Sequence, residues 1–388
     1  MRTERKDDKL IVFLDGRIDS ANALTVEKEI DQCVSGYSGP LVLDAEHLSY
    51  ISSTGLRVIL KLRKRFTNIC VINVASDVYD IFNMTGFTEI MDIEKEYRTF
   101  DVTGAELIGE GANGKVYRIA NDLIIKVYKD ASSLDDIKRE RELSRTAFVL
   151  GIPTAIPFDV VKVGDTYGSV FEMINAKSLA ELLRSDVSQV DYVAEKTVSL
   201  AKTLHMTKVP DNIAPQSDTA REWLREAQGA FDEVHFAKLK ALIEAIPETG
   251  TMLHGDLHIK NIMQQDDEAI LIDMDTLCSG HPIYELAFIY NAYEGFGIVD
   301  KGVIRSFLGV DDAVAARLLY RILSLYLDTE DEGRIEEVRE KASVIGLLRV
   351  LRRVIRIGEQ DTPAGKALLT ACRERICDAV DRLDTLTF

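Results

Sequence analysis

The stretch MLHGDLHIKNIMQQDDEAILIDMDT (residues 252–276) sets His254, Asp256, Asn261 and Asp273 among apolar runs that belong in a core. An ionised carboxylate beside a core strand is costly unless a partner offsets its desolvation. Such groups are either salt-bridged structural residues or the wall of a cleft that holds a cation. Asp256 and Asn261 stand five residues apart, and Asp273 comes 17 residues after Asp256, at the end of the strand-like AILI. That spacing matches a kinase catalytic loop and its metal-holding aspartate. In this reading Asp256 accepts or aligns the proton of an acceptor hydroxyl, while Asn261 and Asp273 hold Mg2+ against the phosphates of ATP. His254, Gly255 and Leu257 shape and pack the loop. Asp275 reads either as a loop brace or as a metal helper.

Upstream, AELIGEGANGKVYRIANDLIIKVYKD (105–130) carries a glycine loop with two readings. Gly109, Gly114 and Lys115 fit G-x-x-x-x-G-K, but Val116 stands where a P-loop needs Ser or Thr, and KVYRIA alternates like a strand. Gly109, Gly111, Gly114 and Val116 also fit G-x-G-x-x-G-x-V, a hairpin whose bare backbone lets N–H groups approach phosphates. The next strand carries Lys126. The segment 132–150 then predicts a helix, opened by Ser133 and Asp136 in capping-box spacing, with Glu142 near its middle. Glycine hairpin, strand lysine and helix glutamate come in the order of a kinase N-lobe. Lys126 is expected on the α- and β-phosphates, held by Glu142, with Glu140 facing elsewhere on the helix. PFDVVKVGDTYGSVFEMI (157–174) predicts two strands ending at a hinge, where the backbone of Glu172 and Ile174 would meet adenine. Beyond the hinge the pattern is helical.

The first hundred residues have another pattern. Apolar strands in KLIVFLDGRIDSANA (9–23), GPLVLDAEHLSYI (39–51) and NICVINVA (68–75) alternate with helical spacing in 23–34 and 52–66, and 78–93 gives another helix and a last strand. This predicts a small α/β sheet. Ser53 would open the second helix, where free N–H groups and the helix dipole favour an anion. Equally, Ser52 or Ser53 simply caps that helix.

Two resemblances rest on these residues. GRIDSANA, LDAEHLSYISSTGLRVIL and MTGF closely resemble the STAS domain of anti-sigma factor antagonists, over roughly residues 7–96. That family's turn usually reads Asp-Ser-Ser-Gly-Leu, with its first serine phosphorylated. Ser53 takes that position here, and Ser52 replaces the aspartate. The resemblance implies a switch or partner-binding module without catalytic machinery. HGDLHIKNI, LIDMD and SGHPIYELA resemble the aminoglycoside phosphotransferase and choline kinase superfamily, over roughly residues 104–300. That resemblance implies a bilobal protein-kinase-like fold, β-rich then helical. It also implies phosphoryl transfer from ATP with Mg2+ to hydroxyls of small molecules such as aminoglycosides, choline, homoserine or methylthioribose. Glu285 stands where that family usually has a bracing aspartate.

The expected organisation is therefore an α/β STAS domain at 1–98, a kinase-like N-lobe at 99–173 and a helical C-lobe at 174–388. Hydrophobic residues at 46% and charged residues at 29% describe a folded globular chain. No run approaches the roughly 18 apolar residues of a membrane span, and the start lacks the apolar segment of a signal peptide. Five scattered cysteines without a CxxC suit a reducing cytoplasm. The net charge is −17, of which the first hundred residues, with 13 basic and 16 acidic side chains, carry only −3. That field disfavours nucleic acid and favours amine-bearing acceptors. Residues 326–333 and Tyr284, Tyr290, Tyr293 and Tyr320 are candidates to line a cationic-substrate cleft. The arginine-bearing helix in 336–357 is expected to pack on the C-lobe. Two activities stand as alternatives: a small-molecule phosphotransferase with a STAS regulatory domain, or a switch whose kinase half phosphorylates Ser53, from a homodimer partner or within the chain, or a separate protein. The joint presence of Lys126, Asp256, Asn261 and Asp273 argues against a pseudokinase.

Overall fold

In Lys9–Ile18, Leu10, Val12 and Leu14 are buried while their neighbours are less so, the period-two pattern of a strand lying on a core. Leu41–Ile51 begins with five consecutive buried residues, as a central parallel strand covered on both faces requires. These belong to a computed structural model that describes residues 1–6, 8–111, 114–129, 134–210 and 212–388. The chain divides into two compact units, residues 1–101 with 160–165, and residues 102–159 with 166–388.

The first unit holds a five-stranded sheet in the order Thr3–Lys6, Lys9–Ile18, Leu41–Ile51, Ile69–Val74 and Asp92–Lys95. The first pair is antiparallel and the rest are parallel. Helices Ala23–Cys33, Ser53–Arg65 and Ser76–Met84 supply the crossovers. The exposed edge strand Thr3–Lys6 is an addition to the sequence-based expectation. Ser52 is the N-cap of Ser53–Arg65, its Oγ accepting the Gly55 N–H at 3.3 Å. Ser53 is the first helical residue and is exposed. Of the two serines, the cap is therefore Ser52. Gly55 is fixed by packing: a Cβ there would lie 2.8 Å from both Ile18 Cγ2 and Ile51 Cγ1.

A second sheet has the order Glu106–Glu110, Gly114–Arg118, Leu123–Tyr128, Thr166–Glu172 and Pro157–Val163, and the second unit holds its first four strands and residues 157–159 of the fifth. Helix Leu134–Val149 packs on it, and a helical region with a large apolar core comes next. All eleven residues of helix Ile283–Tyr293 are buried. It lies against the 25-residue helix Glu332–Arg356, and Asn291 Nδ2 donates to the Gly346 carbonyl at 2.8 Å. A glycine inside a helix costs about 1 kcal/mol relative to alanine. Here a Cβ would lie 2.8 Å from the Ala287 carbonyl oxygen, so Gly346 lets the two backbones approach. Among the described residues, no helix is long and apolar enough to cross a membrane.

Two expectations are corrected. Tyr284 and Tyr290 are core residues, at most 2% exposed, whereas Tyr293 and Tyr320 border a separate cavity lined also by Glu294, Asp312 and Arg339. The acidic run after Tyr326 is local structure: Asp331 caps helix Glu332–Arg356 through the N–H groups of Gly333 and Arg334. Glu330 takes hydrogen bonds from Arg321 and Ser324.

The packing around Gly55 gives a direct test. Gly55→Ala should cost the first unit about 1–3 kcal/mol by overpacking, read as faster amide exchange in strands Lys9–Ile18 and Leu41–Ile51. Unchanged exchange there would show that Ile18 and Ile51 yield freely.

Candidate active site

Strand Met252–Leu253 pairs with Cys278–Ser279, and the hairpin Ile262–Gln265/Glu268–Leu271 brings the chain back past the loop between them. The Ile272 N–H donates to the Asn261 carbonyl at 3.0 Å. This hairpin is why residues 17 apart in sequence meet. Gly255 is left-handed at φ +81°, and a Cβ there would run into the Thr276 carbonyl. Only glycine fits. Thr276 Oγ1 donates to the His254 carbonyl at 2.9 Å, closing the same contact. Asp273 also sits in the left-handed region, φ 64°, which is costly for a residue with a Cβ and persists only where its surroundings impose it.

Glu285 holds this loop from beneath. It is fully buried in the first turn of helix Ile283–Tyr293 and accepts the N–H groups of His254 at 2.6 Å and Gly255 at 3.3 Å. His205 lies with Nε2 3.9 Å from Glu285 and Nδ1 2.7 Å from the Tyr326 hydroxyl. Tyr293 accepts the Ile259 N–H at 3.1 Å. His254 accepts the Asp256 N–H on Nδ1 and directs Nε2 to the Ile272 carbonyl at 3.2 Å, which places its proton on Nε2.

Asn261 Nδ2 donates to the Asp256 carbonyl at 3.1 Å, which leaves its Oδ1 as an acceptor. The Asp256 carboxylate faces His258 Nε2 and Arg349 Nη1, each at 3.5 Å. Burial alone would raise its pKa, but the His258 hydrogen bond and the Arg349 guanidinium hold it down at about 2. Arg349 also donates to the Gly255 carbonyl at 3.3 Å, with its guanidinium over Phe288. Asp275 is pushed the other way, to about 7, by burial and by the neighbouring Asp273.

Lys126 Nζ lies 2.8 Å from both Glu140 Oε1 and Asp273 Oδ1. Burial opposes its charge, but these two carboxylates outweigh burial and keep it protonated. Tyr128 donates to the other Glu140 oxygen at 2.6 Å. The expected partner Glu142 is not there. It is 58% exposed and pairs with Arg141, because the inward stripe of Leu134–Val149 runs through Ile137, Glu140, Ser144 and Ala147. That stripe was readable in the sequence and selects Glu140.

In the glycine hairpin, Gly109 pairs with Val116 and the Gly111 N–H donates to the Gly114 carbonyl at 2.9 Å. A Cβ on Gly114 would strike the Val127 carbonyl. Residues 112 and 113, and the expected cap Ser133, lie outside the described residues. Glu172 ends strand Thr166–Glu172, with its N–H and its carboxylate both bonded to the Ile156 backbone, and Ile174 comes two residues later, buried.

A five-stranded lobe with a glycine hairpin, a lysine–glutamate pair and an Asp-Asn-Asp loop are the parts of a protein-kinase-like phosphotransferase. Residues 104–320 match the Phosphotransferase enzyme family, and the chain belongs to that family. Residues 1–102 match the STAS domain. The putative anti-sigma factor antagonist BtrV of Bordetella bronchiseptica is 33% identical over 94 residues, which are 23% of this chain and 81% of that protein. An anti-sigma-B factor antagonist of Listeria monocytogenes is 27% identical over 95 residues, 24% of this chain and 83% of that protein. A thermostable mutant of the aminoglycoside phosphotransferase APH(4)-Ia, in its apo form, has the same fold, with a TM-score of 0.51 at 14% identity, over 72% of this chain and 95% of that one. A ternary complex of such a thermostable mutant with ADP and hygromycin B gives 0.52 at 12% identity, over 71% and 94%.

The lysine site separates two glutamates. Glu140→Gln should destabilise the second unit by about 3 kcal/mol, since it breaks a buried pair. Glu142→Gln should stay within about 0.5 kcal/mol of the parent. Urea unfolding of both variants measures this, and equal effects would reject the assignment of Glu140.

Proposed function

We propose that this protein transfers the γ-phosphate of ATP, with Mg2+, to a hydroxyl of a small molecule, and that its STAS domain regulates the activity or docks a protein partner. The observation that carries the reading is the junction of Lys126, Glu140 and Asp273 beside Asp256 and Asn261. The donor set suits Mg2+: hard oxygens from Asp273 and Asn261, with Asp275 alongside. Mg2+ keeps several waters and phosphate oxygens and so needs only one or two protein oxygens. When bound, Mg2+ would neutralise charge developing on the transferred phosphoryl group.

The remaining roles fall to the chain itself. Lys126, fixed by Glu140, would contact the α- and β-phosphates, and Gly109, Gly111 and Gly114 would admit the phosphates to the backbone. Glu172 and Ile174 would meet adenine. Asp256, ionised and directed by His258 and Arg349, would accept or align the hydroxyl proton. For domain boundaries we keep 1–98, 99–173 and 174–388. A cytoplasmic location fits the unpaired thiols of the five cysteines.

Asp256→Asn should bind Mg·ADP like the parent and transfer phosphate about 10²–10⁴-fold more slowly. Asp273→Ala should lose Mg-dependent nucleotide binding. Calorimetric titration and turnover assays separate the two, and parental turnover by Asp256→Asn would overturn its role.

A second reading makes the protein a switch that phosphorylates Ser53, and the exposed Ser53 hydroxyl beside the capping Ser52 favours it as a modification site. We expect little phosphate on Ser53 after incubation with ATP and Mg2+ alone. Peptide mass spectra with Asp256→Asn as control test this. Stoichiometric label present only in the parent would make self-phosphorylation the leading function.

A further inference from the structure

A cavity of about 730 Å³ opens beside Asp256 within the second unit, walled by Gly255, Asp275, Trp223, Phe288 and residues of two helices. The sign of its charge is opposite to that of the chain. Acidic side chains outnumber basic ones 64 to 47 overall, so a cavity lined at random would be acidic. This one is lined by Arg349, Arg352 and Arg356, which fall at i, i+3 and i+7 on one face of helix Glu332–Arg356, and by Arg139 and Lys129 across from them.

The opposing acids are fewer. Glu140 gives its two oxygens to Lys126 and Tyr128. Asp275 lines the cavity with no cationic partner among the described residues. Asp136 is exposed and offsets one cation. On the basic side, Arg352 is neutralised by Glu226, and Arg349 serves Gly255 and Asp256. Arg139, Arg356 and Lys129 have no carboxylate partner among the described residues; Lys129 donates only to the Gly111 carbonyl. Three unpaired cations against two unpaired acids, Asp136 and Asp275, still leave the cavity positive.

We propose that this cavity binds an anionic group, carboxylate or phosphate, of the hydroxyl-bearing acceptor, with Arg139 and Arg356 as its principal contacts. The inference rests on the phosphotransferase reading and replaces the amine-bearing acceptor expected from net charge. Guanidinium is suited to this, since its planar fork matches carboxylate and phosphate oxygens. Trp223 and Phe288 give the acceptor's body an apolar wall. The reaction itself is unchanged: the acceptor oxygen bonds to phosphorus, the bond to the ADP oxygen breaks, and the hydroxyl proton goes to Asp256.

Trp223 is the only tryptophan of the chain, so its emission reports on the cavity directly. Inorganic phosphate titrated into the full-length protein should shift Trp223 emission saturably. Arg356→Ser and Arg139→Ser should each weaken that response about tenfold, the usual effect of losing one charge-assisted hydrogen bond, and Arg356→Lys should weaken it less. In turnover, hydroxy acids and sugar phosphates should be preferred over aminoglycosides and amino alcohols, with Arg356→Ser raising KM more than it lowers kcat. The relative preference for hydroxy acids or sugar phosphates identifies the anionic group. No phosphate response, a response indifferent to both substitutions, or turnover of amine-bearing acceptors alone would overturn the proposal. An arginine-dependent response with no transfer to any hydroxyl would instead sink the phosphotransferase reading and leave the anion site standing.

Discussion

A carboxylate with no exposure to water holds the candidate site together. Glu285 accepts two successive backbone N–H groups from the loop that carries Asp256. Desolvating a lone carboxylate is expensive, and the loop N–H groups together with the N-terminal end of helix Ile283–Tyr293 supply the compensation. The arrangement fixes the loop to the most buried helix of the unit. That helix is in turn seated on Glu332–Arg356 by the close approach at Gly346. One turn beyond Gly346, Arg349 reaches back over Phe288 to Gly255 and Asp256. Core packing and loop geometry are thus a single circuit.

Lys126 makes a second junction, this time between elements. It stands on the sheet, Glu140 on a helix and Asp273 on the loop after the hairpin, and one ammonium joins all three. Neither carboxylate alone would be a sufficient account. Glu140 is nearly buried and shares its other oxygen with Tyr128, whereas Asp273 is 45% exposed and remains able to turn to another cation. The asymmetry suits a lysine whose position must persist while its exposed partner changes ligands.

Legibility in the sequence tracked covalent distance. Asp256, Asn261 and Asp273 could be placed because a short loop and a tight hairpin leave few ways to arrange them. The α/β sheet of the first unit was evident from alternating segments, although the exposed strand Thr3–Lys6 carries no apolar pattern and was missed. Glu140 against Glu142 was a question of helical phase, and the apolar stripe answers it once the phase is drawn. Ser52 against Ser53 needed backbone angles. Arg349 was out of reach: it is 93 residues from Asp256, and nothing local distinguishes it from the other arginines of its helix.

Net charge is a weak guide to a cleft for a related reason. A sum over the chain weights every surface residue equally, but exposed charges lose influence beyond about 8–10 Å at physiological ionic strength. What a ligand meets in a cleft is set by the few groups lining it and by which of those are already paired. In the second unit the acids are largely consumed as helix caps, ion-pair partners and loop braces, as Asp331, Glu330 and Glu285 illustrate. Arg139 and Arg356, which have no carboxylate partner among the described residues, both line the cavity beside Gly255. An acidic chain can therefore present a basic site, and pairing decides the sign.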